Sequence, residues 1–189
     1  EDNHKVLIVA ESVYDWNEGS ETSKRFLKKK DCERIVVREH GLYFLDKDTY
    51  EFEDSPTYRN LERVIYGKRD IPIENIKYLW LSVAHHQYVQ RPMKNIEERP
   101  STEDYVTGAL VLKSVMSILR PHICIFLGTD WKKVEPILNL KYATYDEKFC
   151  YPPIGRSYPR VLNCKIDNKT SKIIMIQHTS KYFSWKNWH

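Results

Sequence analysis

Four stretches of the chain gather side chains able to do chemistry: Glu11-Ser12, His85 to Gln90, Gly128 to Asp130, and His178-Thr179-Ser180. Each directly follows an apolar run, where an inert turn would more often carry Gly, Asn or Asp. Together they offer a carboxylate, histidines, glutamines, a tyrosine and several hydroxyls. A carboxylate can hold water or steady a cation, and an imidazole can move a proton or donate to a developing anion. A lone histidine at a strand end is most often a turn residue hydrogen-bonded to backbone, and His85 and His86 are read that way. His178 differs, because Thr-Ser-Lys-Tyr-Phe-Ser-Trp185 follows it and places hydroxyls and apolar rings where a chain should be turning into solvent.

The elements that must position these residues are legible from hydrophobic pattern. Lys5 to Ala10 is continuously apolar after one charge, as in a strand buried on both faces. Tyr58 to Tyr66 places Leu61, Val64 and Ile65 at helical spacing before Gly67. Ile76 to Ala84 reads as a second strand, rich in β-branched and aromatic residues. Ser101, with acidic Glu103 and Asp104 behind it, opens a long helix towards Arg120 whose inner face carries Tyr105, Ala109, Leu112, Met116 and Leu119. Pro121 ends it, His122 to Leu127 is another buried strand, and a new helix starts at Trp131. Tyr142 to Lys172 reads as a long excursion containing a hairpin, and Lys172 to Gln177 as the last strand. Strands alternating with helices imply parallel pairing with right-handed crossovers and helices on both faces of the sheet. In such a fold, ligands bind beyond the carboxyl ends of the strands, where the four stretches lie.

The 189 residues suit one domain, and an apolar content of 41% with 30% charged residues is the profile of a packed chain. A net charge of +4 permits a polyanionic partner without requiring one. The lysines between Thr22 and Lys30 are read first as a solvated face and second as phosphate contacts. Cys32, Cys124, Cys150 and Cys164 stand far apart, so free thiols, a reducing compartment and no metal cluster are expected. Adjacent strand residues point to opposite faces, which argues against His85 and His86 sharing one ion with His178. With no membrane-length apolar run, the expected location is the cytoplasm.

The strand-end motifs resemble those of the uracil-DNA glycosylase-like superfamily. Its first strand ends in an acidic turn, here Ala10-Glu-Ser-Val-Tyr14, and its last in His-Pro-Ser, here His178-Thr-Ser180. Gly41-Leu-Tyr-Phe44 with Ser55 to Leu61, and Trp80 to Gln90 with Arg99-Pro-Ser101, look like further motifs of the same superfamily in the same order. The resemblance implies a three-layer α/β/α sandwich over residues 1–189, with a short, mainly parallel sheet of about four strands. It also implies hydrolysis of the N-glycosidic bond of a damaged or deaminated base in DNA, without a cofactor.

On that resemblance His178 would donate to the leaving base, while Glu11 would orient water or steady the sugar cation. Ser12, Tyr14, Phe44, Gln87, Tyr88 and Ser180 would line the base or nucleotide site. Lys181, Tyr182 and Phe183 would contact DNA, as would Lys24 and Lys28 to Lys30 through phosphates. Thr179 replaces the usual proline, Val13 stands where a proline is common, and the first turn has no Asp or Asn. Those departures leave a second reading, a non-catalytic nucleotide- or nucleic-acid-binding module on the same fold. A small-molecule hydrolase using Ser12 or Ser180 ranks lower, since no Gly-x-Ser-x-Gly elbow or glycine-rich phosphate loop is present.

Overall fold

Strand β1 (Val6–Ala10) carries an apolar side chain at every position and is covered on both sides. Leu7 and Val9 enter one core, Ile8 and Ala10 the other, as period-two alternation requires. The computed structural model of the protein describes residues 4–12, 56–95, 97–146, 151–180 and 183–189. Strands β2 (Ala84–Gln87) and β3 (Ile123–Leu127) flank β1 in parallel, and β6 (Lys169–Ile176) lies parallel beyond β3. β5 (Arg160–Ile166) and β4 (Ala143–Tyr145) extend that edge antiparallel, giving the order β2-β1-β3-β6-β5-β4. The chain leaves β1 towards β2 and returns across it to β3, so winding reverses beside β1, the place where open α/β sheets bind ligands beyond the carboxyl ends of their strands.

Helices cover both faces, which makes the three-layer α/β/α arrangement. On one side α1 (Pro56–Tyr66) and α2 (Ile73–Ser82) bring Leu61, Ile76 and Trp80 onto Ile8, Leu127 and Ile176. The short α5 (Trp185–Trp188) packs on α1. On the other side α3 (Thr102–Leu119) and α4 (Trp131–Asn139) cover Leu7, Val9, Phe126 and Ile173. The start of α3 is fixed by a capping box, Ser101 Oγ accepting from the Asp104 amide at 3.2 Å and Asp104 accepting from the Ser101 amide at 2.8 Å. Arg91 grips the same Asp104 at 2.8 Å and Glu98 at 2.8 Å, tying the β2–α3 loop to that cap. Gly108 lets α3 approach the chain leaving β2, since a Cβ there would stand 2.4 Å from the Tyr88 carbonyl oxygen.

Two expectations are corrected. Ile76 to Ser82 is helical, and only Ala84 to Gln87 pairs as a strand. Within α2, Ile76, Leu79 and Trp80 are buried at helical spacing while Tyr78 and Leu81 face solvent, a one-sided burial that a continuous apolar run disguises. The sheet has six strands rather than about four, because the excursion after Tyr142 supplies β4 and the β5–β6 hairpin. That hairpin turns at Asp167 and Asn168, both left-handed with φ of 48° and 60°, the backbone a tight two-residue turn needs and these residue types tolerate. The lysine-rich stretch from Thr22 to Lys30 lies outside the described residues, and among those described no helix is long and apolar enough to cross a membrane.

Candidate functional site

The carboxyl edge of the sheet is held by backbone. The β1–β2 ladder continues past the strands, with the Tyr88 amide donating to Ala10 and the Val89 amide to Glu11, both at 2.8 Å. The Gly128 amide donates to the Ile176 carbonyl at 2.7 Å, so the ends of β3 and β6 are joined as well. Glu11, Gly128 and His178 therefore leave adjacent strands along one edge.

Glu11 does not stand alone. Lys133, in the first turn of α4, places Nζ 2.7 Å from Glu11 Oε1, and the Tyr105 hydroxyl, from the start of α3, donates to the same oxygen at 3.1 Å. The Lys133 and Glu11 side chains are only 7% and 15% exposed, so this is a buried ion pair whose partners depend on each other. Burial alone would raise the Glu11 pKa, but the Lys133 ammonium and the hydrogen bonds outweigh it and hold the carboxyl below its ordinary range. Oε2 has no hydrogen-bond partner among the described residues. His178 feels the same charges: burial first, then Lys133, lower its pKa against the pull of Glu11, which keeps the imidazole neutral at physiological pH.

The loop bearing His178 is anchored on α1. The Thr179 hydroxyl donates to the Thr57 carbonyl at 2.7 Å, and Asn60 Nδ2 donates to the Thr179 carbonyl at 2.9 Å. Thr179 is fully buried, so the hydroxyl at this proline-replacing position pins the loop to the helix.

The other expected site residues divide. Ser12 and Gln87 lie at the same edge, and Ser12 Oγ and Gln87 Oε1 are buried without a hydrogen-bond partner among the described residues. Ser180 is half-buried, its carbonyl accepting from Asn60 and from the Phe183 amide. Tyr88 is corrected: its ring is fully buried, edge-on to Phe126 and stacked on Tyr105, and its hydroxyl donates to the Lys133 carbonyl at 3.2 Å. It supports the site from beneath rather than lining it. Phe183 stacks on Trp188 with centroids 6.1 Å apart, which ties it to α5. Tyr14, Phe44, Lys181 and Tyr182 lie outside the described residues, as do Lys24 and Lys28 to Lys30.

His85 and His86 face opposite sides. His85 sits edge-on to Tyr58 and Trp80 in the α1–α2 layer, while His86, in register with Val9, faces the α3–α4 layer. Burial pushes the His86 imidazole down from 6.5 to about 4. A histidine with a depressed folded pKa gives its full stability above the unfolded value and loses it as pH falls towards the folded one. His86 and His178 shift the same way, so the melting temperature is expected to fall between about pH 6.5 and pH 4, with His86→Gln flattening part of that fall. A melting temperature constant across this range would contradict the buried neutral state of both rings.

Two residues of the cluster were missed in the sequence, Lys133 and Tyr105. Tyr105 was indistinguishable from the other apolar residues on its helix face. Lys133 carried a signal: a cation in the first turn of a helix opposes the macrodipole, and a buried one there needs a carboxylate. No protein-family model matches the chain, and no curated protein is significantly similar to it.

Proposed function

We propose that this protein is a uracil-DNA glycosylase-like hydrolase that cleaves the N-glycosidic bond of a damaged or deaminated base in DNA. The observation that carries the reading is the meeting of Glu11 and His178 on one sheet edge, the first held anionic and the second held neutral. Departure of a base leaves an oxocarbenium-like sugar and an anionic base, so the site must be negative or water-holding on one side and donating on the other. A neutral imidazole donates its N–H to the developing base oxygen, and the Lys133 charge behind it favours that anion. Oε2 of Glu11, without a hydrogen-bond partner among the described residues, would accept from water or face the sugar cation.

The test is base release from single- and double-stranded oligonucleotides carrying uracil, hypoxanthine, xanthine or a mismatch. Release by the wild type, reduced about a hundredfold or more in His178→Ala, is the expected result, the size being that of a lost general acid or anion donor. Full activity in His178→Ala would remove His178 from the mechanism, and no release from any substrate would refute the hydrolase.

One observation favours the second reading, a non-catalytic nucleotide- or nucleic-acid-binding module. Glu11 Oε1 is already taken by Lys133 and Tyr105, as in a group that braces a pocket. That reading expects a ligand-dependent rise in melting temperature with no released base.

A further inference from the structure

Beside the Glu11–His178 edge lies a second cluster outside the proposed mechanism. β5 runs antiparallel, so its first residue, Arg160, opposite Met175 of β6, lies at the same edge as the carboxyl ends of β1, β3 and β6. Trp131 opens α4 two residues before Lys133, and the Arg160 guanidinium lies over its ring, 5.5 Å from the centroid. Trp131 is 49% exposed, and Tyr151 and Tyr158, on the segment leading into β5, are 51% and 56% exposed. The large aromatic side chains exposed among the described residues are Trp131 at the start of α4, Tyr151 and Tyr158 on the segment leading into β5, and Tyr78 on α2.

Among the described residues, the cations nearest these rings have no acidic partner. Arg156, in the turn between Ile154 and Ser157, and Lys132 and Arg160 make no ion pair with a carboxylate among the described residues. Of the nearby acids, Asp130 accepts from the Lys132 amide as the cap of α4 and Asp146 is buried against Asn163, while Glu135, exposed three residues after Lys132 on α4, makes no ion pair among the described residues. Exposed rings with nearby cations suit bases stacked one after another along a phosphate backbone, which only an unpaired strand presents.

We propose that Trp131, Tyr158 and Arg160 form a stacking platform for the unpaired bases of single-stranded DNA running past the site, with Arg156 and Lys132 meeting its phosphates. The proposal rests on the nucleic-acid reading above and adds to it the form of the substrate. Trp131 takes a base on its open surface while Arg160 holds the ring in place, and Tyr158 offers the neighbouring position.

The experiment is fluorescence anisotropy of the full chain with a labelled oligothymidylate and with a duplex of equal length. Trp131→Ala is expected to weaken binding to the single strand about tenfold, the usual loss when one stacking ring is removed. Trp131→Phe should keep most of the affinity, and Tyr158→Ala should lose less than Trp131→Ala. Duplex binding should change little, and matched melting temperatures would show that the variants fold. Wild-type affinity for the single strand in both alanine variants would overturn the platform and leave the nucleic-acid reading standing. An equal loss on the duplex would overturn the single-strand assignment. Failure of the wild type to bind either oligonucleotide would overturn both.

Discussion

Lys133→Met is expected to lower folding stability by about 3–5 kcal/mol, the cost of leaving one member of a buried ion pair without its partner. For a chain of this size that is a fall in melting temperature of roughly 6–20 °C. The loss arises less from the missing attraction than from the stranded carboxylate. With Lys133 gone, burial acts on Glu11 against only the Tyr105 hydrogen bond and the nearby His178, and its pKa is expected to rise. The variant's deficit should therefore shrink as the solution is acidified and Glu11 takes up a proton, the reverse of the wild type's acid response. Neutralising both partners in Glu11→Gln with Lys133→Met should restore most of the stability, since the charges leave together. Chemical denaturation of the wild type and the two variants at neutral and acidic pH would measure this. A Lys133→Met protein within about 1 kcal/mol of wild type at neutral pH would mean that water reaches Glu11 and the pair is a surface contact. On the hydrolase reading, base release should fall in both Lys133 variants even where stability is recovered, because a charge that favours the developing anion has been removed, while burial still holds His178 low.

The layers and the first strand were legible because burial on both faces leaves a sequence signature that local propensity does not contradict: Val6 to Ala10, and Ile123 to Leu127, cannot be surface segments. The α3 helix was legible because its cap is chemical, Ser101 with Asp104. The α2 segment misled because Tyr78 and Leu81 are apolar yet exposed, so its inner and outer faces look alike in sequence. Strand ends located Glu11 and His178, since topology alone dictates that residues leaving parallel strands share one edge. It could not locate Lys133 and Tyr105, which reach the edge from helices whose rotation about the sheet is set by packing. Nor could it separate Tyr88 from Gln87, adjacent residues of which one is a core ring and the other ends in an unpartnered oxygen at the edge.

Gly128→Ala is expected to damage the site through the backbone, although the substitution adds a single methyl. Gly128 has φ of +136°, a conformation that residues with a Cβ rarely adopt, and holding alanine there costs on the order of 1–3 kcal/mol. The added Cβ would also stand 2.5 Å from Lys133 Nζ. The end of a lysine is normally free to swing aside, but this one is clamped to Glu11 at 2.7 Å, so it can yield only by loosening the ion pair. The two costs are separable. The strain belongs to the turn and persists whatever occupies position 133, whereas the clash needs the ammonium. In a double-mutant cycle with Lys133→Met, the combined loss should fall short of the sum of the single losses by about 1–2 kcal/mol, as expected for residues in contact. Additive losses would place the ammonium clear of the turn, and Gly128 would then serve the backbone alone. A shortfall would make the glycine part of the site, since the space left by its missing side chain is where the Lys133 charge sits.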